Sequence, residues 1–268
     1  MSSGNLKIEL PKSGSFTWFV AGDFHGKDLD IPTFTKLIQL AQAKPYNERG
    51  LIINGDLYDA AYGFNKDEEF KHWRKIRNAV DDFFIPKFDE ETRVVNDILD
   101  AVQAIFSRVI FIGGNHDEPR LENVKKYVPF AYKAYFDIPE KLKLKQREIL
   151  FIPYNKWLEI GDNFFAITHG IYCGMTAHRK HFLAKPMNVI FSHVHSYQSV
   201  PFVTDGQTKH VVSTGTMGRL DPAYLKGAPN NWDNNFVALT VTPDDREYSL
   251  TPVTVRNGKM VMLDGRVI

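Results

Sequence analysis

Phe16-Thr17-Trp18-Phe19-Val20-Ala21-Gly22-Asp23-Phe24-His25 is the stretch that decides the fold of this chain. An apolar run rich in aromatic and β-branched residues reads as a strand buried on both faces. This one ends on an aspartate and a histidine two residues apart. Residues two apart share a face of an ideal strand, so just past a strand end both can reach one ion. The arrangement recurs four times. Residues 50–54 lead into Gly55-Asp56-Leu57-Tyr58-Asp59, and 109–113 into Gly114-Asn115-His116-Asp117. Residues 164–168 lead into His169-Gly170, and 189–192 into Ser192-His193-Val194-His195. Five of the nine histidines fall in these segments, a concentration that core packing does not explain.

Between the first two strands, residues 32–43 (PTFTKLIQLAQA) place Leu37, Ile38, Leu40 and Ala41 at helical spacing after Pro32, a favoured first helical residue. Strand–helix–strand alternation predicts an α/β layered domain, with ligand sites beyond the carboxyl ends of the strands. The long connection 59–108 reads as helical over 67–84 and 90–106, with Pro86 breaking between the two pieces. Its mixed charges suggest a solvated helical hairpin. From 211 onward the pattern turns to β, over 211–213, 236–242, 248–255 and 259–263, with Arg256-Asn257-Gly258-Lys259 as a tight turn. No repeat or linker divides the chain, so one domain over 1–268 is expected, with a helical insertion at about 60–107 and a β-rich part at about 209–268.

Composition is that of an ordinary globular protein, 43% hydrophobic and 24% charged. A net charge of +1 gives no global reason to expect nucleic acid or a membrane as partner. Cys173 is the sole cysteine, which excludes an intrachain disulfide and a thiolate-rich zinc site. The first fifteen residues lack a signal-peptide apolar core, and no run reaches the length of a membrane span. A cytoplasmic location is the expectation.

The side chains ending the five segments coordinate divalent cations through nitrogen and oxygen, and such a set suits Mn, Fe or Zn better than Mg alone. Two ions held together clamp a phosphoryl oxygen and lower the pKa of a bridging water. In order, the segments resemble the D-x-H, G-D-x-x-D, G-N-H-D/E, H and G-H-x-H motifs of the calcineurin-like metallophosphoesterase superfamily. The resemblance implies a four-layer α/β/β/α sandwich and hydrolysis of a phosphoester by a metal-bridging hydroxide. It implies that Asp23, His25, Asp56 and His195 hold one ion, and that Asp56, Asn115, His169 and His193 hold the other. His116 would face the leaving group as general acid or charge stabiliser, oriented by Asp59. Asp117 reads as support rather than ligand. Ser192 stands where the family has glycine, so Ser192→Gly is expected to cost little. His178, Arg179 and His181 are candidates for substrate phosphate, read equally well as a solvated helix face. His72 and His210 read as ordinary histidines.

Asp59 is followed by Ala60-Ala61 rather than the Arg-Gly of protein phosphatases. Gly55-Asp56-Leu57-Tyr58-Asp59 and Ser192-His193-Val194-His195-Ser196-Tyr197-Gln198 are instead similar to motifs of DNA double-strand-break repair nucleases. Residues 120–147 carry eight basic side chains, a face that can hold a phosphate backbone or simply meet solvent. Residues 141–147 alternate like an exposed strand. A phosphodiesterase of nucleic acid (DNA or RNA) or of nucleotides is therefore expected. The alternatives are a phosphomonoesterase of a metabolite or phosphoprotein and a non-catalytic scaffold.

Overall fold

The computed structural model describes residues 6–76, 79–244, 247–260 and 267. Its strands, in chain order, are β1 (Leu6–Ile8), β2 (Phe16–Ala21), β3 (Arg49–Asn54), β4 (Arg108–Ile112), β5 (Leu150–Ile152), β6 (Leu158–Ile160) and β7 (Phe165–Thr168). They continue as β8 (Asn188–Phe191), β9 (Gln198–Thr204), β10 (Gln207–Ser213), β11 (Asn235–Val241), β12 (Tyr248–Arg256) and β13 (Lys259–Met260). A seven-stranded sheet has the order β13-β12-β11-β2-β3-β4-β5, and a six-stranded sheet the order β1-β6-β7-β8-β10-β9. Strands β2 to β5 run parallel, as do β7, β8 and β10.

Side-chain alternation on each inner strand builds two cores at once. On β2, Trp18 and Val20 face the other sheet while Phe19 and Ala21 face helices; on β4, Ile110 and Ile112 oppose Val109 and Phe111 in the same way. The helix layer over the larger sheet contains α1 (Ile31–Gln42) and α3 (Ile85–Ile105). Helix α1 starts where the Asp30 carboxylate accepts the Thr33 N–H at 2.8 Å. Helix α3 turns Phe88, Val95, Leu99 and Val102 inward, at the spacing of one helical face. The remaining helices are α2 (Glu68–Trp73), α4 (Glu118–Lys125), α5 (Ile138–Lys141) and α6 (Ala177–Ala184). Helix α6 covers the smaller sheet. The result is the four-layer sandwich that the sequence implied.

Two expectations are corrected. Residues 67–84 and 90–106 do not make a hairpin broken at Pro86. A π turn (Val80–Phe84) runs straight into α3, with the Ile85 N–H on the Val80 carbonyl, and Pro86 sits in the first turn of α3. There its missing N–H costs nothing, and α3 is a layer of the sandwich rather than a solvated arm. Residues 141–147 are not a strand: α5 is followed by turns, Lys143 has φ 52°, and Leu142 and Leu144 are buried. Finally, the last predicted strand is described only as Lys259–Met260; the rest of 259–263 lies outside the described residues. The turn before it has Asn257 and Gly258 at φ 51° and 69°, as a type I′ hairpin turn requires.

Candidate metal centre

All five motif segments leave the carboxyl ends of parallel strands, three from the larger sheet and two from the smaller. Backbone bonds stitch them together. The Asp23 N–H donates to the Gly55 carbonyl (3.0 Å), the His25 N–H to the Asp56 carbonyl (2.9 Å) and the Ser192 N–H to the His169 carbonyl (2.9 Å). Across the segments, the His193 N–H donates to Asp23 Oδ2 (3.0 Å) and the His116 N–H to Asp56 Oδ1 (2.8 Å). Asp23, His25, Asp56, His193 and His195 all have φ between 49° and 73°. Left-handed backbone at non-glycine residues costs roughly 1–3 kcal/mol each, and such strain collects where a site over-determines it. Gly55, at φ 86°, is needed for space as well: a Cβ there would lie 2.1 Å from His169 Nδ1.

Two clusters of converging ligand atoms share Asp56. Asp23, His25, Asp56 and His195 form one, and Asp56, His169 and His193 the other; within each, the atoms lie within 4.8 Å of one another. Asn115 joins the second through Oδ1, 2.9 Å from His169 Nε2. The packing suits cations. Asp23 Oδ1 and Asp56 Oδ2 are buried with no hydrogen bond, as are His25 Nδ1 and His195 Nδ1, although His195 Nε2 comes within 3.2 Å of Asp23 Oδ1 and His169 Nε2 within 3.3 Å of Asp56 Oδ2. Buried carboxylate oxygens left so are costly unless a positive charge meets them.

The local field is that of a charge-paired interior. Burial raises the Asp56 carboxyl, but His169 and His116 outweigh it and hold it well below the usual range. Asp23 is likewise lowered, by His195 against burial. Burial lowers His169, yet Asp56 and Asp23 push it up to about 10. His193 is lowered by burial.

Beside the clusters, His116 Nδ1 lies 3.0 Å from Asp59 Oδ1, and His25 Nδ1 lies 3.3 Å from the same oxygen. Burial lowers His116 despite the nearby carboxylates, and with a carboxylate at Nδ1 and a guanidinium at Nε2 the ring proton belongs on Nδ1 toward Asp59. Its Nε2 accepts from Arg120 Nη2 at 2.7 Å, while Arg120 Nη1 donates to the Asp59 carbonyl. Asp117 is a brace: its carboxylate accepts the N–H groups of Tyr58 (2.8 Å) and Gly114 (2.7 Å), tying the second segment to the third. Burial and Asp56 push it up to about 7.

The sequence reading missed two side chains that contact the site. Arg120 was counted only as part of a basic run, though its four-residue offset from His116 was visible. Glu91, buried on α3, accepts the N–H groups of Asp59 and Ala60, and nothing local in the sequence signals it. The weak candidates separate. His181 is fully buried against Phe191, its ring centroid 4.0 Å away, so it cannot touch a substrate. Its Nδ1 is 2.9 Å from the Ala177 carbonyl, and burial lowers it to about 4. Arg179 is exposed on α6, and His178 is buried with Nε2 3.2 Å from Ser213 Oγ. The basic run is not one open face, because Lys125 pairs with Glu122, Lys141 with Asp89 and Arg147 with Asp100. Among the described residues no helix is long and apolar enough to cross a membrane.

The sequence profile of one family, described as calcineurin-like phosphoesterase, matches residues 17–216. No match is found among curated proteins. Among solved structures the chain is similar to Vps29 of Chaetomium thermophilum, at 12% identity and a TM-score of 0.46, covering 94% of this chain and 95% of that one. It is also similar to a putative diadenosine tetraphosphatase, at 13% identity and a TM-score of 0.40, covering 93% and 98%. A hypothetical protein of Pyrococcus horikoshii is matched at 14% identity and a TM-score of 0.44, covering 90% and 88%.

Proposed function

The chain belongs to the calcineurin-like phosphoesterase family, and from that premise we propose that it is a dinuclear metal phosphodiesterase acting on nucleotides or nucleic acid. The observation that carries the metal assignment is the pair of buried, unbonded carboxylate oxygens on Asp23 and Asp56 amid converging imidazoles. Asp23, His25, Asp56 and His195 would hold one ion and Asp56, Asn115, His169 and His193 the other, with Mn favoured over Fe or Zn. When bound, such a pair supplies Lewis-acid polarisation of the phosphoryl group and a nucleophilic water at neutral pH.

The chain's own residues do the rest. Asp59 orients the His116 ring through Nδ1. Arg120 covers Nε2 in this structure; to serve a leaving-group oxygen in that position the ring would first take up a proton at Nε2, and the Asp59 carboxylate at Nδ1 would stabilise the imidazolium that donates it. Electrostatics support a diester. The pocket of about 260 Å³ that shares His25 and Asp59 is lined by Asp28, Asp67, Glu69 and Glu90 against only Lys27 and Lys87. A monoester dianion is repelled there more than a diester monoanion. The test is a panel with Mn²⁺: an aryl phosphodiester, an aryl phosphomonoester, cyclic nucleotides, and labelled DNA and RNA. Turnover of the monoester with every diester untouched overturns the reading.

A further inference from the structure

A second cavity opens beside His193 and shares no residue with the acidic pocket at Asp59. Its volume, about 330 Å³, is that of a small-ligand pocket, roughly 300–1,000 Å³. Three segments build it: the loop after His169, the turn between β8 and β9, and Asn231 from the loop before β11. Helix α6 closes the back with His178.

The chemistry of this lining differs from everything else around the centre. No Asp, Glu, Lys or Arg contributes to it among the described residues. Burial lowers His178, whose Nε2 lies 3.2 Å from Ser213 Oγ. Val194 and Met175 supply apolar surface, and Met175 is fully exposed, a soft side chain able to lie against a ring face. Ser196, Gln198 and Asn231 each offer both a donor and an acceptor. Side-chain amides are suited to read the mixed donor–acceptor edge of a base. A second phosphate would find no counter-charge in this cavity, and neither would an ammonium group. A flat, neutral heterocycle with ring nitrogens and exocyclic polar atoms finds both surfaces it needs.

We infer that the cavity is a nucleobase subsite, so that the ester presented at His193 belongs to a nucleotide. The inference rests on the phosphodiesterase reading but is tested apart from it. Cys173, the sole cysteine, is exposed and lines the cavity, so its alkylation by N-ethylmaleimide, read by intact mass, reports occupancy. At least one of adenosine, guanosine, cytidine and uridine at millimolar concentration should slow labelling severalfold, whereas ribose and inorganic phosphate should not. Gln198→Ala with Asn231→Ala should abolish the protection, and Met175→Ala, at a fully exposed position, should weaken it without risk to folding. Labelling unaffected by any nucleoside, or protection that survives the double variant, overturns the subsite. Hydrolysis of bis(p-nitrophenyl) phosphate with no nucleoside protection sinks the subsite alone. Protection in a protein that cleaves no diester keeps the subsite and overturns the phosphodiesterase reading.

Discussion

Arg120 Nη2 stands 2.7 Å from His116 Nε2, on the opposite side of the ring from Asp59. The imidazole is thus held at both nitrogens, as donor to a carboxylate and acceptor from a guanidinium. Arg120 keeps this pose by lying over the Phe64 ring at 4.7 Å and by donating to the Asp59 carbonyl. A lysine carries the charge but not the fork that serves both partners. A hydrogen bond to a charged group contributes about 1.5–3 kcal/mol, or roughly 10–100-fold in rate. Arg120→Lys should therefore lower kcat/KM on a nucleotide diester by that factor and leave bound metal unchanged. Wild-type kinetics in this variant would remove Arg120 from the site.

His116 separates an enzyme from a metal-binding scaffold. A sugar alkoxide is a poor leaving group, and general acid help of this type is worth about 10²–10⁴-fold. An aryl oxide needs far less. His116→Asn should keep both ions and lose most activity on a nucleotide ester, with a much smaller loss on a nitrophenyl ester. Asp59→Asn should repeat the pattern more weakly, because Asp59 acts through the ring. Equal losses on both esters would mean that His116 serves the phosphoryl charge and not the leaving group.

Asp56 is the one side chain common to both ligand clusters. Asp56→Asn should lose activity and at least one ion by elemental analysis while its circular dichroism stays native. Chelation of the wild type should lower Tm, and Mn²⁺ should restore it, because a ligand of the folded state alone stabilises by mass action. Full occupancy with normal turnover in Asp56→Asn is the result that sinks the assignment.

Burial, with Asp59 nearby, pushes Glu91 up to about 7 from an ordinary 4.5. Between those values the folded protein holds a proton that the unfolded chain has released. Stability from this group is therefore fully present below pH 4.5 and is lost as pH rises through 7, on the order of 3 kcal/mol in all. Asp117, also near 7, adds a slope of the same sign. Urea unfolding at pH 5 and pH 8 should show the decline in the wild type and a smaller one in Glu91→Gln. Identical declines in both proteins would contradict the assignment.

The inner strands were legible because residues buried on both faces leave a continuous apolar run, and the candidate ligands were legible because they follow those runs directly. Elements with weaker signatures were not. Strand β9 is mostly exposed, so its pattern is faint, although Asp205-Gly206, at φ 51° and 72°, carried the hairpin signal. Strand β1 is three residues long and borrows its order from pairing with β6. Pro86 misled because a widened π turn before it absorbs what would break an ideal helix. Glu91 was invisible because it meets Asp59 and Ala60 across a gap of some thirty residues of chain. One acid on an amphipathic helix looks like any other.

Ser192→Gly was expected to cost little because glycine is the usual residue there, and the structure revises that. The left-handed angle falls on His193, at φ 73°, and Ser192 is not among the residues with positive φ. Ser192 Oγ accepts from Asn54 Nδ2 at 2.9 Å, lies 2.8 Å from Thr214 Oγ1, and is fully buried. It also occupies the space over Gly22, where a Cβ would come within 2.3 Å of it. Ser192→Gly therefore restores no needed freedom. It leaves the Asn54 amide and the Thr214 hydroxyl short of a partner, in a place where Asn54 Oδ1 already has none. A buried polar group stripped of its partner costs about 1–3 kcal/mol, more than the small effect first expected. The consequence reaches the metal centre, because the Asn54 carbonyl lies 2.9 Å from His169 Nδ1 and orients that ring. Partners behind a metal-binding histidine typically change affinity by about 10–100-fold. Ser192→Gly should lower Tm by several degrees and weaken Mn²⁺ binding in a calorimetric titration, whereas Ser192→Thr, which keeps the oxygen but adds a methyl, should destabilise through crowding at Gly22. A glycine variant as stable and as tightly metallated as the wild type would show that the hydroxyl contributes nothing to the network.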